Sequence, residues 1–383
     1  MIKKLTLPPL PSFPDIASAF IRIPSSKHDI AGPWLVKNQT AFIFSRSAWG
    51  LQALVITAQF KLGEKPIVWL PDYFCDDTLH PLRLIGARVQ FYPITLNLAP
   101  DWDQCYALAQ KQTPDLFVIV HYFGQPSEGV QAFDFCQKTG ALLIEDAAHA
   151  LSPSPGIGAY GDATFYSPHK HLPIPQGSLV VLKDRSRFLP SELETACRNM
   201  AEQAPSSANW LTKRTAQKML PPKILRAITK RNQKSFLEDG ASKTLPTEPL
   251  CSRFGKTMLE QASKNLKKCS ETRRKNWRYV TEEAKNIQGW DPLTSLPDTW
   301  TPYRAVMRCV NQERAELIYR HLLASDCPVE SWPDLPAQVT NTPTNHAVAN
   351  ELRRTTILLP VHQTLDTAKV SEAFRRFKTH PAY

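Results

Sequence analysis

No apolar run in this chain of 383 residues is long enough to cross a bilayer, which sets aside a membrane-spanning helix. The first twenty residues, MIKKLTLPPLPSFPDIASAF, include basic residues, but prolines break the apolar run that a secretory signal needs, so export is not expected. The eight cysteines fall singly, with neither the paired spacing of a zinc site nor the look of a disulfide framework. Free, mostly buried thiols in a reducing cytoplasm are the expectation, with no metal. No G-x-G-x-x-G follows an early strand, so a nucleotide-binding Rossmann unit is not expected. Nucleic-acid motifs and internal repeats are missing as well, and no nucleic-acid partner is expected.

What the chain does have is 42% hydrophobic residues, enough to bury a large domain and a smaller one. Its net charge is +11, and much of the excess lies between Arg185 and Arg278. A local excess of that kind suits a solvated basic face, an anionic small substrate or an acidic membrane surface.

Taken in order, residues 1–37 are Pro-rich and predict an irregular arm whose apolar residues pack along a body. Ser45-Arg46-Ser47 precedes a helical pattern beginning at Ala48, with a serine available as N-cap and free backbone N–H groups suited to a phosphate. Short apolar runs then alternate with amphipathic helices. Strands are predicted at 67–70, 89–92, 116–121 and 141–144, and helices at 76–85, 102–110 and 129–138. Strands separated by single helices imply right-handed βαβ crossovers and a mostly parallel sheet, an α/β fold. Residues 184–247 break the pattern with basic helical pieces at 211–219 and 224–234. The second, ILRAITKRNQK, is basic and amphipathic; it can lie on an anionic membrane surface, cross a dimer interface or cover an active-site mouth. A long helix over 256–284, a strand over 303–310, helices over 314–324 and 366–378 and a final apolar run at 355–362 predict a smaller α+β domain.

The stretch from Leu142 to Leu182, LLIEDAAHALSPSPGIGAYGDATFYSPHKHLPIPQGSLVVL, carries the chemistry. It sets Glu145, Asp146 and His149 after one strand, Ser167-Pro168-His169-Lys170 after another, and Pro175-Gln176-Gly177-Ser178 before a third. Acid, imidazole, hydroxyl and amine at strand ends are where open α/β sheets bind ligands.

Glu145-Asp146-Ala147-Ala148-His149, Gly161-Asp162, Ser167 and Lys170 together resemble the cofactor site of the DegT/DnrJ/EryC1/StrS sugar aminotransferases, which are fold-type-I pyridoxal-phosphate enzymes. His121-Tyr122-Phe123-Gly124-Gln125-Pro126 and the closing Thr355–His362 are similar to further family elements. The resemblance implies a large domain (38–250, with 184–247 a basic insertion) built on a seven-stranded, mostly parallel sheet. It also implies a small C-terminal domain (251–383), a homodimer and pyridoxal 5'-phosphate as cofactor. By the same resemblance Lys170 is the Schiff-base lysine and proton carrier, and Asp146 the partner of the pyridine nitrogen. His149 stands near the phenolic oxygen. Ser47 and Ser167 serve the phosphate, and Arg46, where the family has glycine, adds charge there or points to solvent. The family often places an aromatic over the pyridine near Pro71–Cys75; register puts Cys75 there, with Phe74 or Tyr73 displaced beside it, and core packing is the competing role.

Three departures mark a divergent member. Ser167 is three residues before the lysine, whereas many relatives place a serine five before, where this chain has Phe165. Gly177 stands in a return made stiffer by Pro175 and Ser178. No G-x-N-x-R element, which relatives supply to a neighbouring subunit, is found. The implied reaction is transfer of an amino group from an amino-acid donor such as glutamate to an anionic, nucleotide-linked keto-sugar. The alternatives are another pyridoxal reaction at Cα or Cβ, of desulfurase, lyase or decarboxylase type, which Ser-x-His-Lys leaves open, or a non-catalytic sensor. Having both Lys170 and Asp146 argues against the sensor.

Overall fold

The structure is a computed structural model that describes residues 5–184, 186–220, 224, 235–239, 245–295 and 297–378. Its frame is built from short runs rich in valine, isoleucine and leucine, apolar on both faces because both faces are covered. They form strands β1 (Thr40–Phe44), β2 (Ile67–Pro71), β3 (Arg88–Tyr92), β4 (Leu116–Val120), β5 (Leu142–Ala147), β6 (Ala163–Tyr166) and β7 (Ser178–Leu182). The seven make one sheet in the order β1-β7-β6-β5-β4-β2-β3. Pairings from β3 through β6 are parallel, and β7 alone runs opposite to both its neighbours. β1, β2, β4, β5 and β6 therefore all end at one edge of the sheet, and β7 begins there.

The parallel core agrees with the expected α/β alternation, but two strands differ from it. β1 was not foreseen, and β5 runs three residues further than expected, carrying Glu145 and Asp146 inside the strand. The arm is also more regular than its prolines suggest. It folds into helices α1 (Phe13–Ile21), capped by Ser12 with Asp15 in a capping box, and α2 (Lys27–Ala31). Its buried residues Ala19, Ile30, Ala31 and Trp34 pack on Leu151, Leu172 and Ile174, and Trp34 Nε1–H donates to the Leu151 carbonyl at 2.9 Å.

Helix α3 (Ser47–Leu62) follows β1 and is buried along almost all of Ser47–Ala58, so it shows no helical stripe of apolar residues. At Gly50 it lies so close to the sheet that a Cβ would meet Val180 Cγ2 at 2.5 Å. The helix expected over 76–85 is instead a 3-10 turn, Asp76–Leu79, followed by His80–Leu84; Pro81 has no N–H to continue a single helix and stands where one begins. The long helix expected over 256–284 is two, Arg253–Ser263 and Leu266–Lys285, parted at Lys264 and Asn265. Ala208–Met219 is helical, whereas the piece expected at 224–234 lies outside the described residues except Ile224.

A second, antiparallel sheet has the order β10 (Glu330–Ser331), β11 (Thr356–Pro360), β9 (Arg304–Cys309), β8 (Trp290–Pro292). One face packs on Leu266–Lys285, Gln312–Ala324 and Thr367–Lys378 around Trp277, Ile318, Tyr319 and Phe374. Other residues of this part of the chain, Val306, Trp332, Leu335, Val339 and Leu352, join the core of the large sheet. The two sheets therefore share packing over the edge where the strand ends gather. Among the described residues no helix is long and apolar enough to cross a membrane.

Candidate active site

The parallel ladder brings the residues singled out in the sequence to that shared edge. Asp146 is the next-to-last residue of β5, and His149 lies three residues further on. β6 leads into Ser167 and a single 3-10 turn, Pro168–Lys170. β1 leads into Ser45, Arg46 and Ser47.

Ser47 and Ser167 meet there: the Ser167 hydroxyl donates to Ser47 Oγ at 3.0 Å, and both are buried. Ser47 is the first residue of α3 and not its cap; Arg46 occupies the cap position without a side-chain cap bond, leaving N–H groups of the first turn directed outward. Arg46 neither points freely to solvent nor stands alone. Its guanidinium donates to the carbonyls of Ser45 (2.8 Å) and Pro175 (3.1 Å), and burial pulls its pKa down to about 10. It thus ties the start of α3 to the return loop before β7. Gln176 fixes that loop from the other side, donating to the Pro205 carbonyl and the hydroxyls of Ser207 and Ser252 while accepting from Ser252 N–H. Gly177, at φ 134°, is the residue able to make the return.

Asp146 accepts from the Ala148 N–H at 2.8 Å with one carboxylate oxygen. Burial pushes its pKa up to about 6, against the pull of the Lys170 charge, the Ala148 N–H and His121. Lys170 shifts the opposite way. Burial lowers it; Asp146 and Cys75 oppose the shift, and Arg304 adds to it. Both shifts favour the uncharged forms, which suits an amine that must act as nucleophile or base.

Glu145, beside Asp146, does different work. Its buried carboxylate accepts the His121 Nε2–H at 2.8 Å and the backbone N–H groups of Gly158, Tyr160 and Gly161 at 2.7, 2.7 and 2.6 Å. Burial raises its pKa, but these donors outweigh that and hold it below the usual range. His121 Nδ1 accepts from Ser127 N–H, so its proton sits on Nε2. This pair braces the loop between β5 and β6, which gives His121 a structural place at the strand end.

His149 is buried. It stacks on Tyr303 (4.5 Å between centroids, 9° between planes) and more loosely on Phe123, and its Nδ1 accepts the Phe123 N–H. Burial, with Lys170 and Arg304 nearby, keeps it far below an ordinary imidazole pKa and so neutral. Phe74 is 4% exposed and belongs to the main core, while Tyr73 stacks on Trp332. Cys75, one residue further on, is the member of that loop within electrostatic reach of Lys170.

Several residues here had no signal in the chain order. Arg304 donates to Glu330 from two nitrogens (3.0 and 2.9 Å) and lies over the Tyr303 ring at 4.2 Å. With Tyr303, Trp332 and Arg273 it comes from the small sheet and its helices, more than a hundred residues after Lys170. Only the packing of the two sheets brings them to the site, so spacing could not reveal them.

The donor set fits pyridoxal 5'-phosphate. A buried pair of hydroxyls at a helix start suits the phosphate. A buried carboxylate with one oxygen already engaged suits a protonated ring nitrogen, and an amine with a lowered pKa suits the aldehyde carbon.

Residues 45–232 match the DegT/DnrJ/EryC1/StrS aminotransferase family. Among curated proteins, the dTDP-4-dehydro-2,3,6-trideoxy-D-glucose 4-aminotransferase of Saccharopolyspora spinosa is 34% identical over 127 residues. That match takes in 31% of this chain and 32% of the relative, so the chain spans about a third of the relative's length. Among solved structures, the aminotransferase TlmJ from Streptoalloteichus hindustanus is similar with a TM-score of 0.68 at 18% identity, over 98% of this chain and 97% of its own. Helicobacter pylori PseC, an aminotransferase involved in the biosynthesis of pseudoaminic acid, gives 0.66 at 15% identity over 100% of both chains. At such identities the likeness establishes the fold alone, along the whole chain. Residues 45–232 are thus similar to the DegT/DnrJ/EryC1/StrS aminotransferase family, within a fold that the whole chain shares with these solved structures.

Proposed function

We propose that this protein is a pyridoxal-phosphate-dependent aminotransferase that moves an amino group from an amino-acid donor, glutamate in the first instance, to a nucleotide-linked keto-sugar. The observation that carries the reading is the convergence at one sheet edge of Lys170, Asp146 and the Ser47–Ser167 pair. Support for the sugar comes from the Saccharopolyspora relative, whose name specifies a dTDP-linked dehydro-sugar, and the net charge of +11 suits a diphosphate-bearing acceptor.

When bound, the cofactor supplies an electron sink for the carbanion formed at substrate Cα. The rest falls to the chain. Lys170 Nζ would hold the aldehyde carbon and would accept the proton released at substrate Cα. Its lowered pKa favours the unprotonated amine that both tasks require. Asp146 would hold the ring nitrogen and favour its protonated state. Ser47, Ser167 and the first-turn N–H groups of α3 bind the phosphate, with Arg46 adding positive charge behind them. His149, neutral and stacked on Tyr303, would orient the ring through the phenolic oxygen, while Phe74 packs in the main core. The arm at 1–37, the large domain at 38–250 and the small domain at 251–383 complete the reading, as do a homodimer and a cytoplasmic location.

Purified protein is expected to absorb in the visible range, and Lys170→Ala to lose that absorbance. Mixing with glutamate alone should bleach it and release 2-oxoglutarate in equal amount. Protein that stays colourless with added pyridoxal phosphate would rule out the cofactor. Unchanged absorbance with glutamate and every other amino donor would rule out aminotransfer in favour of another reaction at Cα or Cβ. A panel of keto-sugar nucleotides as acceptors then identifies the product.

A further inference from the structure

Arg273 lies fully buried in the helix Leu266–Lys285, and among the described residues no carboxylate pairs with it. Its guanidinium instead makes a fork of bonds to neutral acceptors. Nη2 donates to the His171 carbonyl at 3.2 Å, Nη1 to the carbonyls of Pro302 and Tyr303 at 3.0 and 3.1 Å, and Nε to Gln363 Oε1 at 3.3 Å. Gln363, so oriented, donates its own Nε2–H to the same His171 carbonyl at 3.2 Å. Two side chains from the C-terminal part of the chain therefore converge on the peptide that follows Lys170.

The need for them is local. The turn that carries Lys170 is a three-residue 3-10 helix, and so short an element fixes its own orientation poorly. Among the described residues no backbone N–H donates to the His171 carbonyl, so these side chains satisfy a buried acceptor. Burying a cation without a counter-charge is costly, and an apolar residue would serve packing alone better. What the fork adds is geometry. One rigid plane joins the lysine turn to Tyr303, whose ring stacks on His149.

We propose that Arg273 and Gln363 are positioning residues for Lys170, setting the lysine turn against the Tyr303–His149 stack through the His171 carbonyl. This rests on Lys170 being the reactive amine. The groups facing its Nζ are Asp146 from β5, Cys75 after β2, Arg304 from β9 and Glu330 from β10, with His149, His169 and His171 also within electrostatic reach, and none of them is substituted in the variants below.

The test reads the amine itself, on full-length protein freed of cofactor. Carbamylation by cyanate is followed across pH by peptide mass spectrometry, with exposed Lys111 as internal reference. In the wild-type protein, Lys170 should become reactive at lower pH than Lys111. Arg273→Lys keeps the charge but loses the fork. The turn should loosen and admit water, so that the Lys170 profile moves upward and its rate relative to Lys111 at pH 8 falls about tenfold, the equivalent of one pKa unit. Gln363→Ala should move it the same way by a smaller factor, and it carries the test alone if Arg273→Lys does not fold. A lowered melting midpoint with an unchanged Lys170 to Lys111 ratio in folded variants would mean a purely structural role and overturn the proposal. A wild-type Lys170 that titrates like Lys111 would instead overturn the reading of Lys170 beneath it.

Discussion

Asp146 and Lys170 form an acid and an amine that burial drives toward neutrality from opposite sides, and this has a measurable signature. The folded pKa of Asp146, about 6, lies above the ordinary carboxylate value near 4. Between those two values the folded chain keeps a proton that the unfolded chain has lost. The stabilising contribution is therefore fully present below about pH 4 and is lost as pH rises through about 6, by on the order of 3 kcal/mol in cofactor-free protein. Asp146→Asn should flatten that slope in urea unfolding measured from pH 4 to 7; equal slopes in both proteins would show that Asp146 is not the buried acid. The lowered Lys170 amine acts in a separate, alkaline window. Its cost is borne below its folded pKa and disappears as pH climbs toward the usual lysine value.

At the scale of elements, the loop between β5 and β6 hangs on one side chain. Glu145 accepts four bonds, three of them from the backbone N–H groups of Gly158, Tyr160 and Gly161. Glu145→Ala would leave those donors and His121 without an acceptor, at a cost of about 3–5 kcal/mol. Urea unfolding near neutral pH should record the loss, and a cost under about 1 kcal/mol would mean that water or a neighbouring group replaces the carboxylate. Because the folded pKa of Glu145 is depressed, its contribution is complete above the ordinary carboxylate range and fades only as pH falls through the lower folded value. The element also explains why two adjacent acids have different lives: strand alternation sends Glu145 and Asp146 to opposite faces. One meets the turn and the other the lysine.

Over the whole molecule, the large and small sheets are joined through packing more than through the chain. Trp332, next to β10, stacks on Tyr73 at 4.4 Å and meets the rings of Tyr122, Phe123 and His149. Gly124 marks the same seam, since at φ 93° a Cβ there would stand 2.3 Å from the Thr301 carbonyl oxygen. Trp332→Ala should cost about 3–5 kcal/mol. It should also broaden or split the calorimetric transition, because the indole is what the two sheets melt around. A single transition with an unchanged midpoint would show that the sheets are coupled elsewhere.

The order of apolar runs was enough for the parallel core, because a strand buried on both faces must read as a short continuous hydrophobic segment. The spacing of Asp146, His149, Ser167 and Lys170 was equally legible, since each sits at a strand end and the sheet brings successive strand ends to one edge. The capping box of α1 and the break at Pro81 are present in the letters too, as short local signals beside the longer apolar pattern. Tertiary structure alone decided the rest. β1 reads as apolar like any strand, and only its pairing with β7 places Ser47 against Ser167. Arg46 reads as a charge for a phosphate, and only the return loop shows that the Pro175 carbonyl also holds it. Arg273, Tyr303, Arg304 and Trp332 reach the site from the far part of the chain by packing of one sheet on the other, and packing between distant segments leaves no period or spacing in a sequence to be read.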